Sequence, residues 1–173
     1  MTENSIASAV SILRVTPFTL RELLGSLPQQ LTASSGDRGD WAPHDVVAHL
    51  IHAELTDWVP RAEVILAQGI DRRFPPFDRD GQFAMPARSL GELLDELAEF
   101  RRHNLDKLAG WELDDEKLGL RGVHPEFGEV TLGQLIATWA VHDLTHLRQI
   151  AIHIARRFTD DVGPWRAYLS ILK

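Results

Sequence analysis

The chain has 173 residues, of which 44% are hydrophobic and 25% charged, a balance that predicts one soluble domain with a substantial core. Its net charge of −7 argues against binding to a nucleic-acid backbone, which requires clustered Lys and Arg. Because the chain contains no cysteine, disulfides, thiolate metal sites and a cysteine nucleophile are excluded, and any metal must be held by nitrogen and oxygen ligands.

The beginning of the sequence, MTENSIASAV, lacks the basic segment of a signal peptide. No apolar run approaches the length that is needed to span a bilayer. We therefore expect a cytoplasmic protein that does not associate with a membrane.

The first predicted helix begins at a proline. Thr16 and Pro17 have the order of an N-cap followed by proline at the first helical position. The leucines that follow recur at helical spacing up to Pro28. Residues 5–15 are apolar but few, so we expect either a helical turn or an extended lead-in before this helix.

The second predicted helix begins at residues 41–43, where proline again comes early, and runs to about Gln68. Pro60 lies inside this span and cannot donate an amide hydrogen to Thr56. We therefore expect a kink or break near Val59.

Two polar residues stand out on the apolar arc of this helix. His49 lies on the flank of the arc, where a lone histidine is usually structural. Glu54 lies near its centre, and a buried carboxylate needs a partner such as an arginine, a histidine or a metal.

A long loop is predicted between the second and third helices. Residues 70–88 contain three prolines and three phenylalanines. A loop of this length in a compact domain is often a lid or a binding loop. A strap that covers one end of the core is an equally good interpretation.

The third predicted helix begins after Ser89, with Glu92 completing a capping box, and ends at Gly110. His103 within it is expected at the surface or at the rim of a site. Residues 111–130 carry turn signals and predict a short hairpin or an irregular loop. This segment also contains two weak candidate ligands, His124 and Glu126.

The last long helix is predicted over residues 131–154 and continues to about Phe158, with Thr131 as its cap. His142 and His146 are four residues apart, so both imidazoles leave one face of the helix, one turn apart. Asp143 points into the middle of the apolar arc. The pair predicts half of a divalent-metal site, provided that another helix supplies more ligands. The alternative is that both histidines only hydrogen-bond to neighbours.

A short terminal helix is predicted after Gly163 and Pro164. Its apolar residues have the spacing that would let them pack back on the bundle. They are Trp165, Tyr168, Leu169 and Leu172.

Together these segments predict an all-α fold, a four-helix bundle with a short C-terminal helix. Within such a bundle His49 could converge with His142 and His146, although spacing alone does not establish the meeting.

Three segments of the sequence are similar to one family. The pattern W-x-P-x-D-x-x-x-H-L at 41–50 resembles the histidine-bearing start of the second helix in DinB-like (YfiT-like) proteins. HPEFGEVTLGQL at 124–135, followed by HDLTHLRQI at 142–150, is similar to the last-helix signature of that family. VGPWRAYLSIL at 162–172 resembles its closing segment.

The resemblance implies a single four-helix-bundle domain over residues 1–173 with a three-histidine metal site. Carried over residue by residue, the ligands are His49, His142 and His146, and the ion is Ni²⁺ or Zn²⁺ with water in the open positions. The resemblance also implies a homodimer and a small-molecule substrate, in some relatives with a low-molecular-weight thiol such as mycothiol or bacillithiol. Ala42 departs from the family, where a serine or threonine cap is common.

Three neutral histidines around a divalent ion leave a coordination position open, which is typical of catalytic sites. Such an ion lowers the pKa of a bound water or thiol, and since the chain has no cysteine, a thiol would come from a cosubstrate. Glu54 and Asp143 are expected to orient a histidine through its other ring nitrogen. The alternative for each is a buried salt bridge with Arg101 or Arg148.

The leading hypothesis is a metal-dependent enzyme, most plausibly a thiol-dependent S-transferase or isomerase, whose catalytic residues the sequence does not identify. The alternatives are a metal-dependent hydrolase and a non-catalytic metal-binding or dimerisation module in stress response. HDLTH differs from the HExxH motif of metalloproteases by its aspartate, so a protease is not expected. His52 faces the polar side of its helix and His153 lies two turns from His146, so both are left out of the site.

Overall fold

The computed structural model describes residues 3–34, 36 and 39–173, with Glu3 and Asn4 described by their backbone alone. The fold is helical, as expected, and its four long helical segments form the predicted bundle. The α-helices are α1 (Glu3–Leu24), α2 (Gln29–Thr32), α3 (Pro43–Thr56), α4 (Trp58–Gln68), α5 (Leu90–Gly110), α6 (Asp115–Gly119) and α7 (Leu132–Arg156).

Short elements complete the described chain. The strands β1 (Arg121–His124) and β2 (Gly128–Thr131) form an antiparallel hairpin, which the turn signals predicted as one of two options. Short 3₁₀ segments lie at Gly69–Asp71, Gly81–Ala84, Gly163–Tyr168 and Ser170–Leu172. In the part of the chain that the structure describes, no helix is both long and apolar enough to cross a bilayer.

The expected start of the first helix at Thr16 is wrong, because α1 is continuous through Pro17. A proline inside a helix leaves the carbonyl four residues earlier without its N–H donor. Here that carbonyl belongs to Leu13, and it accepts a 2.7 Å hydrogen bond from Nη1 of Arg101 on α5. The helix tolerates the proline because a buried guanidinium replaces the missing donor.

The predicted break near Val59 is confirmed. Helix α3 ends at Thr56, and α4 begins at Trp58 after Asp57, whose φ of −114° and ψ of −73° depart from helical values. Pro60 removes the amide that would have continued the hydrogen bonding of α3. The expected end of this segment at Gln68 and the expected bounds of α5 also agree with the structure.

Helices α3 and α5 run parallel. The start of α3 contacts the residue before α5, where His44 Nε2 lies 2.9 Å from the carbonyl oxygen of Arg88. Further along both helices, Glu54 contacts Arg101. Consecutive parallel helices require a connection that returns along the bundle, and the long loop after α4 provides it.

Helices α1 and α7 run antiparallel to this pair. On α1, Arg21 contacts Asp95 of α5, whereas Leu13 contacts Arg101, so the two helices have opposite directions. On α3, Glu54 contacts Trp139 of α7, and the earlier His49 contacts the later His146. The order of directions is therefore up, down, down, up.

The loop between α4 and α5, residues 69–89, is called the crossover loop below. Its first half is a strap over the core. Phe74 is buried, with an exposed fraction of 2%. Its backbone N–H donates a 2.9 Å hydrogen bond to the carbonyl of Val123 in β1. Gly122 allows this packing, because a Cβ there would lie 2.7 Å from the Phe74 ring. The second half of the loop reaches the histidines and is described below.

The expectation that the terminal residues pack back on the bundle is wrong for three of the four, since Leu169 is 37% exposed and two others are more so. Trp165 is 71% exposed and Tyr168 is 87% exposed. The segment forms 3₁₀ turns rather than an α-helix. With three residues per turn, side chains at i and i+3 share a face, and here that face, which continues to Ile171, points to solvent.

A buried polar layer crosses the bundle at Arg101, which is 2% exposed. Its Nη1 and Nη2 lie 2.6 and 3.0 Å from the two carboxylate oxygens of Asp143 on α7. Its Nε lies 3.0 Å from Glu54 on α3, which also accepts hydrogen bonds from Asn104 and Trp139. Burial disfavours the charge of Arg101, but Glu54 and Asp143 more than offset this and raise its pKa.

The apolar core is divided in two by this layer. One buried cluster, which includes Leu13 and Trp139, packs under the hairpin and the strap. The other, which includes Leu50, Leu97 and Ile150, fills the opposite end of the bundle. The layer therefore ties three helices together at a fixed level between two hydrophobic regions.

Replacement of Arg101 by methionine is expected to lower the free energy of unfolding by about 3–5 kcal/mol, because two buried carboxylates lose their counter-charge. The matched control is Arg102→Met, since Arg102 is solvent-exposed and pairs with exposed Asp106. That change should stay within about 0.5 kcal/mol. Urea denaturation followed by circular dichroism measures both, and equal losses in the two variants would contradict the role of the buried layer.

Candidate metal centre

The three predicted histidines converge between α3 and α7. His49 Nε2 lies 3.3 Å from His142 Nε2, which lies 3.1 Å from His146 Nε2. Nitrogen atoms of all three rings lie within 4.8 Å of one another. The antiparallel packing of α3 on α7 thus brings together side chains that are 93 residues apart in the chain.

Side-chain amides orient two of the rings. His146 Nδ1 lies 2.8 Å from Oε1 of Gln149, one turn later on α7. His49 Nδ1 lies 3.5 Å from Oε1 of Gln82 in the second half of the crossover loop. An amide oxygen accepts only, so each Nδ1 donates and each Nε2 keeps its lone pair. Two lone pairs therefore point to the centre of the cluster.

The expected roles of Glu54 and Asp143 as histidine-orienting groups are wrong. All hydrogen bonds of their carboxylates go to Arg101, Asn104 and Trp139 in the buried layer. The alternative from the sequence, a salt bridge with Arg101, is the arrangement that the structure contains. These carboxylates act on the cluster indirectly, by fixing the helices that carry it.

Aromatic rings surround the cluster. The Trp41 ring lies 4.8 Å from the His49 ring and 6.4 Å from the His146 ring, measured between centroids. Trp58 lies 5.0 Å from His142, and Phe77 lies 5.6 Å from His49. His49 and His146 are buried, whereas His142 is half-buried and gives the cluster its contact with solvent.

Burial lowers the pKa of all three imidazoles. The pKa of His49 falls to about 4, through burial first and then the proximity of His146. The pKa of His142 falls to about 2, through burial and then the neighbouring His146 and His49. Burial also lowers the pKa of His146. The rings are therefore neutral at physiological pH, which is the form that binds metals.

The donor set fits a divalent ion. Metal–nitrogen distances of about 2.0–2.1 Å in a tetrahedral arrangement require nitrogen atoms about 3.3–3.4 Å apart. The two Nε2–Nε2 separations that involve His142 are close to this value, and the ligand atoms of His49 and His146 lie within 4.8 Å of each other. The buried Nδ1 of His142 has no hydrogen-bond partner among the described residues. When Nε2 of His142 binds an ion, its Nδ1 carries the ring proton, and a water molecule is the simplest acceptor for that N–H.

The remaining histidines lie outside the cluster. His52 binds the carbonyl of Asp78 at 3.0 Å, and its ring packs on Gly81, so it anchors the crossover loop. His153 faces Asp40, His124 accepts backbone N–H groups from Glu126 and Phe127, and His103 is exposed. His124 and Glu126 are thus not brought to the cluster.

The start of α3 is stabilised without the serine or threonine cap expected in relatives. The carboxylate of Asp45 accepts the backbone N–H of Ala42 at 3.1 Å. This bond secures the helix start beside Trp41. The departure at Ala42 therefore leaves the aromatic wall of the cluster in place.

Sequence reasoning did not identify Gln82, Gln149 and Trp41 as members of the site. Gln149 follows His146 by three residues, so helical geometry would have found it. Gln82 lies in a loop without periodicity, 33 residues from its partner His49, and no local signal indicates it.

The metal-free protein is expected to lose stability as the pH falls. His49 and His142 have folded pKa values of about 4 and about 2, below the unfolded value of 6.5. The unfolded state therefore binds more protons below pH 6.5, and the stabilisation present above that pH is lost on acidification. At pH 5 the loss is about 2 kcal/mol per histidine.

Urea unfolding in EDTA between pH 5 and pH 8 measures this dependence. His142→Gln should reduce its slope between pH 6 and pH 5 by about a third, since it removes one of three buried histidines with lowered pKa values. His103→Gln, at an exposed position, should leave the slope unchanged. A slope in His142→Gln equal to that of the wild type would contradict the neutral, buried state of this ring.

Comparison with known proteins agrees with the fold. Residues 12–150 match the model of the DinB superfamily. One similar solved structure is described as "YfiT from Bacillus subtilis is a probable metal-dependent hydrolase with an unusual four-helix bundle topology". It has 17% sequence identity and a TM-score of 0.77, and the match covers 91% of this chain and 90% of that one. A search of curated proteins found no match. Because the family model spans most of the chain, the protein belongs to the DinB superfamily.

Proposed function

We propose that this protein is a metal-dependent enzyme that acts on a small molecule, with a Ni²⁺ or Zn²⁺ ion held by His49, His142 and His146. The observation that carries the proposal is the convergence of ring nitrogens from three neutral histidines, with the Nε2 atoms directed toward one another. A divalent ion in such a site lowers the pKa of a bound water or thiol towards neutrality.

The surrounding residues prepare the site in two ways. Gln82 and Gln149 hold the rings of His49 and His146 in the tautomer that directs Nε2 inward. Trp41 and Phe77, which are both half-buried, pack against the ring of His49 and limit the entry of water there. The substrate would approach along half-buried His142, the one ring of the three with substantial exposure.

Thiol transfer to a small electrophile, or isomerisation with a thiol cosubstrate, is the first candidate reaction. Among the described residues, no carboxylate hydrogen-bonds to the three rings, because Glu54 and Asp143 are both committed to Arg101. A reaction that needs no protein general base suits this arrangement. A thiol is such a nucleophile, since its pKa is already much closer to neutrality than that of water.

Hydrolysis is the second candidate. It is favoured by the description of the similar Bacillus subtilis structure as a probable metal-dependent hydrolase. In this case His142, which lies at the solvent-accessible edge, would border the attacking water. The expected homodimer stays a prediction for either reaction.

Metal analysis tests the ligand set. Wild-type protein from supplemented medium should carry about one divalent ion per chain, and His142→Ala should lose most of it, since one of three ligands is removed. His153→Ala on the same helix is the matched control and should retain its metal. Because Trp41 lies beside two of the rings, addition of Ni²⁺ to the metal-free wild type should also quench tryptophan fluorescence. Equal metal in all three proteins would overturn the assignment.

Activity assays separate the two candidate reactions. The metal-loaded protein is incubated with monochlorobimane and a panel of mycothiol, bacillithiol and glutathione, and in parallel with activated esters without a thiol. Conjugation well above that of His142→Ala supports transfer, and ester cleavage with the same dependence supports hydrolysis. Absence of both with every compound would favour a non-catalytic metal-binding module.

A further inference from the structure

A cavity of about 260 Å³ lies next to the metal centre but outside it. It is bordered by the start of α4, by the crossover loop and by the turn of the hairpin. Phe77 lines the cavity and also packs on the ring of His49, so the two sites share one wall. None of the three clustered histidines lines the cavity. The metal centre therefore does not account for it.

A buried ion pair forms one side of this cavity. Asp57 and Arg61 are each 6% exposed, and Arg61 Nε lies 2.6 Å from Asp57 Oδ1. The contact lacks hydrogen-bond geometry, so both atoms stay without a hydrogen-bond partner among the described residues. Arg61 Nη2 donates to the carbonyl of Pro75 at 3.3 Å, but Arg61 Nη1 and Asp57 Oδ2 have no such partner in the described part of the chain. Buried polar groups are normally paired, so this pair points to a missing molecule.

The charges of this pair are less well compensated than those of the buried layer. Burial lowers the pKa of Arg61 by more than Asp57 raises it. Burial likewise raises the pKa of Asp57 by more than Arg61 lowers it. In the buried layer, by contrast, two carboxylates raise the pKa of Arg101. A ligand that brings a charge of each sign would stabilise both members of the pair at the cavity.

The rim of the cavity also carries both signs of charge. Arg79 and Glu126 line it, both are exposed, and neither forms an ion pair with a described residue. With Asp57 and Arg61, the cavity is therefore lined by two cationic and two anionic side chains. A lone anion would meet the carboxylates, and a lone cation would meet the guanidinium groups. A ligand with one charge of each sign suits this arrangement best.

Rings form the remaining walls. They belong to Phe77, Phe127, His124, Pro76 and Pro125. Phe127 is 74% exposed and stacks on His124, with centroids 4.4 Å apart. Burial and then the charge of Arg61 lower the pKa of His124, so this ring adds no charge at neutral pH. The volume lies below the roughly 300–1,000 Å³ of pockets for drug-sized ligands, so the ligand is small and has an apolar part.

We propose that this cavity binds a small zwitterion of the amino-acid class, with an apolar side chain against the aromatic rings. Its carboxylate lies near the two arginines, and its ammonium group lies near the two carboxylates. The ligand thereby supplies hydrogen bonds that the buried pair lacks. An ammonium group beside an aromatic ring also gains cation–π attraction.

Calorimetry in EDTA tests the proposal on the full chain, without a metal ion that could capture the ligand. The probes are L-phenylalanine and L-leucine, each compared with two analogues that lack one of its charges. The analogues are 3-phenylpropanoate and 2-phenylethylamine for phenylalanine, and 4-methylpentanoate and 3-methylbutylamine for leucine. At least one amino acid should bind at least about tenfold more tightly than both of its analogues. Because the analogues are smaller than the amino acids, their weaker binding has no steric cause.

Two substitutions at the rim test the location of the ligand. Arg79→Gln and Glu126→Gln should each weaken binding about threefold, because each removes one charged contact in an exposed position. Both variants should fold, since neither side chain forms an ion pair with a described residue. Arg72→Gln, at an exposed position of the same loop outside the cavity, is the matched control and should bind like the wild type.

A substitution in the aromatic wall gives a second test of location. Phe127→Ala should weaken binding by at least about threefold, because the ligand loses its contact with this ring. Phe18→Ala, at a position on α1 that is 66% exposed and lies outside the cavity, is the matched control. The proposal is overturned if neither amino acid binds, if an analogue binds as tightly as its parent amino acid, or if both rim variants and Phe127→Ala bind like the wild type. Since no metal is present in these titrations, failure of the proposed enzyme function leaves their results intact.

Discussion

Two carboxylates on different helices share one buried guanidinium, and the positions of the three clustered histidines depend on that pairing. Glu54 on α3 and Asp143 on α7 are both held by Arg101 of α5. Removal of a charge from water is expensive, so such a layer persists only when each charge is paired and its hydrogen bonds are satisfied. The layer therefore selects one register for three helices, where apolar packing alone would tolerate small shifts.

The metal centre inherits its geometry from this register. Asp143 directly follows His142 in α7, and Glu54 lies little more than one turn after His49 in α3. A shift of either helix would separate His49 Nε2 from His142 Nε2, which now lie 3.3 Å apart. The crossover loop then adds what the helices lack, because Gln82 reaches His49 from outside the bundle. Rigid helices thus provide the ligand atoms, and a loop helps to fix their orientation.

Much of the fold was predictable because its signals are local. The cap at Thr131 and the one-turn spacing of His142 and His146 depend only on neighbouring residues, and the structure contains both. The contribution of His49 came from family resemblance, since no spacing rule joins distant helices. Gln82 had no signal at all, because its position depends on the path of a loop.

Other misses arose where tertiary contacts override a local rule. Pro17 has the sequence signature of a helix start, yet α1 continues through it because Arg101 supplies a donor from another helix. The buried carboxylates were correctly identified as needing partners, but the choice between a histidine and Arg101 required the fold.

The 93-residue separation of His49 and His142 has a consequence for folding. A metal ion that needs both His49 and His142 cannot bind a partly folded chain in which these rings are still apart. The ion therefore stabilises the folded bundle by mass action, whereas the folding nucleus forms from local helical contacts.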